Sequence, residues 1–195
     1  MATQLTRRER RLPGRPDDGF TLIELLVVLL IIGILLAIAI PTYLSVTKTA
    51  NNTAVESNLR TAFTGSNAYY TANNQSYSGL DVANPNGNAS DITQIDTGLS
   101  YVSNLNSSAL RVIALEVVSS GGLILAAWSP GTSRCYYVVD NKVTGASGPS
   151  PIPQAIGTWF GYVAQTALNG SSCLPSNANT VTGNGAFSNT GFPPG

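Results

Sequence analysis

The strongest pattern in the sequence is an apolar run from Phe20 to Ile40 that contains a single charged residue, Glu24. As a helix, this run would be about 31 Å long at roughly 1.5 Å per residue, close to the roughly 30 Å hydrocarbon core of a bilayer. A secretory signal peptide is the competing interpretation, but its apolar core is normally about 7 to 15 residues long. The greater length of this run predicts a membrane-spanning helix over residues 20–40.

From Pro41 to Tyr70 the pattern becomes amphipathic. Apolar residues recur at helical spacing, which predicts a helix with one buried face; they are Val55, Leu59, Ala62, Phe63 and Tyr70. Glu56 and Arg60 have the i, i+4 spacing at which opposite charges attract each other. We therefore expect the helix to continue beyond the membrane run, with a kink at Pro41, which has no backbone N–H to donate.

The remainder of the chain has the pattern of a loop followed by strands. Residues 71–98 are rich in Asn, Gly, Pro and Asp, which favour turns. Three β-type runs follow at 110–118, 123–129 and 134–140, joined by Ser-Ser-Gly-Gly and Pro-Gly segments. Such short connections predict an antiparallel β-meander. The predicted fold class is α+β, with the long N-terminal helix packed on a C-terminal antiparallel β-meander.

Charge is distributed unevenly along the chain. The first 19 residues carry 5 − 3 = +2, from three acidic residues and the arginines Arg7, Arg8, Arg10, Arg11 and Arg15. The positive-inside rule then places the N-terminus in the cytoplasm and the residues after Pro41 outside. The formal net charge of the whole chain is zero, so direct binding to nucleic acid is not indicated.

Cys135 and Cys173 are the only cysteines, and both fall on the predicted outer side. A pair of cysteines in an exported domain predicts a disulfide. Closing the loop of about 38 residues between the two cysteines would stabilise the fold by roughly 4 kcal/mol in the chain-entropy account. The alternative is two unpaired small core residues.

Residues that could carry chemistry are scarce. The sequence contains no histidine, which excludes an imidazole base and a His-ligated metal, and two cysteines alone make no structural zinc site. Asp81, Asp91 and Asp96 could offer oxygens to calcium, but their spacing matches no defined loop and ordinary solvated turns are favoured. We predict no catalytic residue, no metal, no cofactor and no enzymatic activity.

The stretch Gly19-Phe20-Thr21-Leu22-Ile23-Glu24, followed by the apolar run, resembles the processing site of type IV prepilins and the related pseudopilins. That signature is a short basic leader ending in Gly, then Phe, then Glu four residues later, then an uninterrupted hydrophobic segment. Gly33 and Pro41 resemble helix-softening positions of the same family. The detailed resemblance covers roughly residues 7–63, and beyond it only the architecture agrees.

The resemblance implies that a membrane peptidase cuts between Gly19 and Phe20 and methylates the new amine of Phe20. Glu24 would then be the fifth residue of the mature chain and would pair, during subunit assembly, with the Phe20 amine. A charged residue in a membrane helix costs on the order of 3 kcal/mol and is generally paired. The alternative is that Glu24 snorkels to the interface.

Pattern and resemblance together divide the chain into four parts: a removed leader at 1–19, a transmembrane and assembly helix at 20–40, an amphipathic helix at 41–70, and a region at 71–195. The last part comprises a variable loop, the sheet and a disulfide-closed C-terminal segment.

The implied function is that of a structural subunit of a type IV pilus or pilus-like filament. The implied partners are a prepilin peptidase/methyltransferase, other copies of the chain and pilin-like subunits, inner-membrane assembly machinery, and membrane lipid before assembly. The implied location is the cytoplasmic membrane, with the N-terminus inside, and then the cell surface. A pseudopilin of a secretion or DNA-uptake system is one alternative. A membrane-anchored extracellular binding or enzymatic module is the alternative from another class.

Overall fold

The computed structural model describes residues 19–80, 92, 98–103, 107–148, 151–164, 173–181 and 186–194. The basic leader up to residue 18 and the candidate calcium ligands Asp81, Asp91 and Asp96 lie outside the described residues. The chain forms two compact units, Met1–Thr42 and Tyr43–Gly195.

Helix α1 spans Leu22–Ala72, and the predicted long helix is therefore confirmed. Pro41 lies inside it and cannot donate a hydrogen bond to the carbonyl of Ala37. The neighbouring hydroxyl of Thr42 donates to the carbonyl oxygens of Ile38, at 2.7 Å, and Ala39, at 3.1 Å. The kink at Pro41 stays a prediction.

The second unit contains a five-stranded sheet with the strand order β1-β2-β3-β4-β5. The strands are β1 Ser100–Ser103, β2 Val112–Ser119, β3 Gly122–Ser129, β4 Arg134–Asn141 and β5 Gly157–Ala164. Strands β2 to β5 pair antiparallel with their sequence neighbours, which confirms the meander. The sheet also contains β5, whose aromatic run the sequence analysis did not assign to a strand.

Strand β1 was not predicted from the sequence, and it pairs parallel with β2, Ser100 opposite Val112. The backbone N–H of Ser100 donates to the carbonyl of Arg111 at 2.9 Å. A parallel neighbour needs a crossover connection instead of a tight turn. The rules for β-hairpins therefore do not apply between β1 and β2.

Close backbone approaches fix two of the turns. A Cβ on Gly122, at the start of β3, would overlap the carbonyl of Ala146. A Cβ on Gly131, in the turn between β3 and β4, would lie 3.0 Å from the Cα of Lys48 on α1. The same turn binds α1 through Asn52, whose Oδ1 accepts hydrogen bonds from the hydroxyls of Ser129, at 2.7 Å, and Thr132, at 2.6 Å.

The main core lies between α1 and one face of the sheet. The buried side chains of the helix are Val55, Leu59, Ala62, Ser66 and Tyr69, packed against apolar residues of β2, β3, β4 and β5. The predicted helix stripe is correct for its first three members, whereas Phe63 and Tyr70 are only half-buried. Tyr69 is buried in place of Tyr70, and its hydroxyl donates to the carbonyl oxygen of Ser78 at 2.8 Å.

Arg60 takes a different partner from the one predicted. Glu56 and Arg60 are both described, and they form no ion pair. The Arg60 guanidinium instead lies 4.9 Å from the centre of the Phe160 ring and 5.4 Å from that of Phe192. Burial raises the pKa of Glu56, and the charge of Arg60 partly offsets this shift. The attraction is therefore present without a direct contact.

The opposite face of the sheet carries a second, smaller core. It contains Cys135 and Cys173, which form a disulfide with a Cα–Cα distance of 5.4 Å, as predicted. Ala178 and Val181, in and after the short 3-10 helix Pro175–Thr180, pack into the same cluster. The disulfide thus attaches the C-terminal segment to β4.

Candidate functional site

The segment that carries the predicted processing and assembly residues begins with a capped helix. Thr21 directly precedes α1, and its hydroxyl accepts a hydrogen bond from the backbone N–H of Glu24 at 3.2 Å. In return, Glu24 Oε2 accepts from the backbone N–H of Thr21 at 3.0 Å and from its hydroxyl at 2.8 Å. This reciprocal pattern is a capping box, which satisfies backbone donors that have no partner within the helix.

The capping box gives Glu24 a partner within its own chain. The sequence analysis did not identify this role, although Thr21-Leu22-Ile23-Glu24 fits the S/T-x-x-E pattern that marks a helix start. A carboxylate in the first turn also interacts favourably with the positive end of the helix dipole. Glu24 therefore has a local structural role, and its predicted pairing with a Phe20 amine remains a prediction.

Gly19 and Phe20 lie just before α1 in non-helical chain, and both are exposed. A peptidase needs an extended and accessible backbone at the bond it cuts, and a bond inside a helix would have to be unwound first. The Gly19–Phe20 junction lies outside the helix and is accessible. The cut itself and the methylation of Phe20 stay predictions.

Gly33 lies within the helix, and no other atom comes within 4 Å of the position that a Cβ would take there. Glycine and proline are the two residue types that most weaken a helix interior. Gly33 and Pro41 are thus placed where they lower helix stability, as the predicted softening role requires. That role itself is not tested by the structure.

None of the described residues covers the apolar segment. Its large hydrophobic side chains are exposed throughout, from 45% for Val27 to 81% for Phe20. Soluble proteins rarely expose continuous apolar surface of this extent, which normally marks a membrane or protein contact. Among the described residues, α1 is the one helix long and apolar enough to cross a membrane. The segment therefore requires lipid or other protein around it.

Metal-binding chemistry is not assembled in the part of the chain that the structure describes. There, no group of three or more His, Cys, Asp or Glu side chains comes together to hold an ion. The two cysteines are consumed by the disulfide.

Comparison with known protein families gives one result. Residues 15–40 match a family model described as a prokaryotic N-terminal methylation motif. This match is consistent with the type IV pilin and pseudopilin family. No match is found among curated proteins or among solved structures. The match covers the N-terminal segment, and the long helix packed on a mostly antiparallel sheet is a pilin-like architecture.

The prepilin-type motif and the apolar helix together support anchoring of the chain in a membrane. The motif also implies processing by a prepilin peptidase and assembly into filaments. Pilin-like proteins are generally structural.

Proposed function

We propose that this chain is a structural subunit of a type IV pilus or pilus-like filament and polymerises through the first half of α1. The observation that carries the proposal is the combination of the methylation motif at residues 15–40 with an apolar helix surface that the described part of the chain leaves exposed. A filament of parallel copies would cover that surface after the subunit leaves the lipid.

The proposed maturation begins with cleavage between Gly19 and Phe20 and methylation of the Phe20 amine. Before the cut, residue 20 carries a neutral peptide nitrogen, and after it the chain gains a positive charge one turn away from Glu24. The leader and its arginines stay in the cytoplasm, and the region after Pro41 is placed outside by the positive-inside rule.

In the filament, the Glu24 carboxylate of one subunit accepts a hydrogen bond from the Phe20 amine of a neighbour. Apolar contacts between identical helices allow sliding along the axis, whereas a single charge pair in a low-dielectric core favours one axial offset. This charge pair determines the axial register more than it adds net stability, because both charges lose their hydration. A subunit is committed to the filament when Glu24 leaves Thr21 and binds the Phe20 amine of its neighbour.

The test is to shear surface filaments from the producing cells, image them by electron microscopy and identify their main band by mass spectrometry. The proposal predicts that this chain, beginning at Phe20, is a component of long filaments. A processed chain that is absent from surface filaments, and whose deletion abolishes secretion or DNA uptake, would assign it to the pseudopilins. A chain that keeps its leader and stays monomeric in the membrane would favour an anchored binding or enzymatic module.

A further inference from the structure

Five polar side chains converge where the end of β4 meets α1, and we call them the amide–lysine cluster: Asn67, Tyr77, Asp140, Lys142 and Thr158. The Lys142 Nζ lies 2.7 Å from Asn67 Oδ1 and 3.0 Å from Asp140 Oδ2. The Tyr77 hydroxyl lies 2.6 Å from Asp140 Oδ2 and 3.2 Å from Asn67 Oδ1. The Lys142 amine and the Tyr77 hydroxyl therefore each contact both the Asn67 amide and the Asp140 carboxylate.

The cluster is held in place from several directions. The Asp140 side chain is only 2% exposed, and the Thr158 hydroxyl donates to its second oxygen, Oδ1, at 2.8 Å. The Lys142 side chain is 27% exposed, and its Nζ lies 5.0 Å from the centre of the Tyr70 ring. These contacts leave the lysine few alternative positions, so its nitrogen is kept beside the Asn67 amide.

Tyr77 keeps its proton in this setting. Burial, followed by the hydrogen bond to Asp140, raises the pKa of the Tyr77 hydroxyl well above its ordinary value of 10.0. It is therefore a hydrogen-bond donor at every physiological pH, shared between the carboxylate and the amide oxygen. A donor at the amide oxygen is what stabilises negative charge when a nucleophile adds to that carbonyl.

We propose that Lys142 and Asn67 react to form an intramolecular isopeptide bond, from Nζ to Cγ, with release of ammonia. The amide carbon is one bond beyond the Oδ1 atom that Nζ already contacts. Holding two reacting groups at such a distance replaces a bimolecular encounter by an intramolecular one, which is a large part of catalysis by proximity. Lysine amines are established protein nucleophiles once a nearby base takes their proton.

The proposed step balances without any added reagent. Asp140 accepts one proton from the Lys142 ammonium, and the freed lone pair on Nζ forms a bond to Cγ of Asn67. The carbonyl electrons move to Oδ1, where Tyr77 donates its hydrogen bond. A second proton passes from Nζ to Nδ2, the Cγ–Nδ2 bond breaks, and the carbonyl re-forms. Ammonia leaves, takes the proton held by Asp140 and departs as ammonium.

The bond would join α1 to the end of β4 on the helix-facing side of the sheet. The disulfide joins β4 to the C-terminal segment within the core on the opposite face. The two links would thus fix different layers of the same unit. The inference does not depend on filament formation and concerns the folded chain alone.

The decisive measurement is the mass of the full chain, purified in detergent and reduced. The isopeptide bond predicts a loss of about 17 Da, one ammonia, relative to the mass expected from the mature sequence with its N-terminal methyl group included. The chain contains only two lysines, Lys48 and Lys142. Labelling of amines after denaturation should therefore modify Lys48 and leave Lys142 unmodified, and trypsin should fail to cut after Lys142.

Three variants locate the bond. Lys142→Arg keeps the charge and the hydrogen bonds but removes the nucleophile, so the full mass should return. Asp140→Asn keeps the size and removes the proton acceptor, and the full mass should return there too. Lys48→Arg is the matched control and should still show the loss. The wild-type measurement decides the proposal by itself if either cluster variant fails to fold.

Two results would overturn the inference. One is wild-type protein at full mass with both lysines labelled, which leaves the cluster as a non-covalent network. The other is a loss of about 17 Da that persists in Lys142→Arg, which assigns the lost ammonia to succinimide formation at an asparagine. A branched peptide that contains both residue 67 and residue 142 is the result expected.

Discussion

The two halves of α1 belong to the same helix but satisfy their apolar side chains in different ways. In the half after Tyr43, Leu59 is fully buried under the sheet. In the half before it, Leu29 is 60% exposed, and its neighbours are exposed to a similar degree. The second half is stabilised by the chain's own sheet, whereas burial of the first half depends on lipid or other copies. The chain's own sheet thus buries one stretch of the helix and leaves the other exposed.

The largest expected effect comes from blocking the cut that separates the membrane form from the assembling form. In Gly19→Arg, a long charged side chain replaces the small residue at the proposed cleavage position, so the precursor should accumulate in the membrane and filaments should be absent. Immunoblotting of the membrane fraction for the leader-bearing form, beside sheared filaments, measures both. Normal processing of Gly19→Arg would show that Gly19 is not the recognised residue.

The next largest effect is expected at Glu24. Glu24→Ala should still insert and be cut, but filament yield should fall at least about tenfold, because an unpaired buried charge costs roughly 3–5 kcal/mol. Thr21→Val is the matched control, since it removes the hydroxyl contacts to Glu24 and leaves the carboxylate. The measurement is sheared-filament yield at equal amounts of mature membrane-held protein.

The two Glu24 roles give different outcomes in that experiment. If pairing with a neighbour is the main role, Thr21→Val should assemble nearly normally. If Thr21→Val fails as severely as Glu24→Ala, the capping box and not an intersubunit pair explains the defect. Equal yields for all three chains would leave Glu24 as a residue that snorkels to the interface.

A matched pair of leucine substitutions tests the comparison within the helix directly. Leu59→Ala should lower the free energy of unfolding of the second unit by about 2–5 kcal/mol, because it leaves a cavity under the sheet. Leu29→Ala should change it by less than about 0.5 kcal/mol. Urea unfolding of the detergent-solubilised chain, followed by fluorescence of Trp128 and Trp159, reports on the second unit. An equal effect at both sites would contradict the difference in burial between the two halves of α1.

A smaller effect is expected from removal of the disulfide. The Cys135→Ser/Cys173→Ser double variant should lose about 2–4 kcal/mol of stability in the second unit. The loss should appear first as protease sensitivity of the segment that contains Ala178 and Val181, since the disulfide attaches that segment to β4. The α1 segment before Tyr43 should insert into membranes as in the wild type. Unchanged protease resistance without the bond would show that packing alone holds the segment.

The sequence predicted those parts of the fold that depend on local periodicity. The helix and strands β2, β3 and β4 follow from apolar spacing and short turns. Strand β1 has only four residues and pairs parallel with β2, which no local pattern specifies. Strand β5 follows a Gly- and Pro-rich stretch and is recognisable only once β4 offers it an edge.

The roles of the Gly19-Phe20 junction and Glu24 come from a motif and stay predictions. The capping box fits the sequence pattern of Thr21 and Glu24 but was not identified from it. The amide–lysine cluster could not be predicted, because Asn67, Asp140 and Thr158 are distant in sequence and meet only through the packing of α1 on the sheet.

The smallest effect concerns a carboxylate that the sheet buries. Glu116, on β2, has its Oε2 atom buried without a hydrogen-bond partner among the described residues, and burial raises its pKa above the ordinary value of 4.5. A raised pKa means that the folded state holds its proton more tightly than the unfolded state does. The contribution of Glu116 to stability is therefore fully present below pH 4.5 and is lost as the pH rises through the higher folded-state pKa.

Glu116→Gln cannot ionise, so it should gain stability relative to the wild type at neutral pH and lose that advantage toward pH 4. Paired urea titrations of the two proteins at several pH values measure the difference. A constant difference across that range would show that Glu116 has the same pKa in both states, so that folding imposes no cost on its charge.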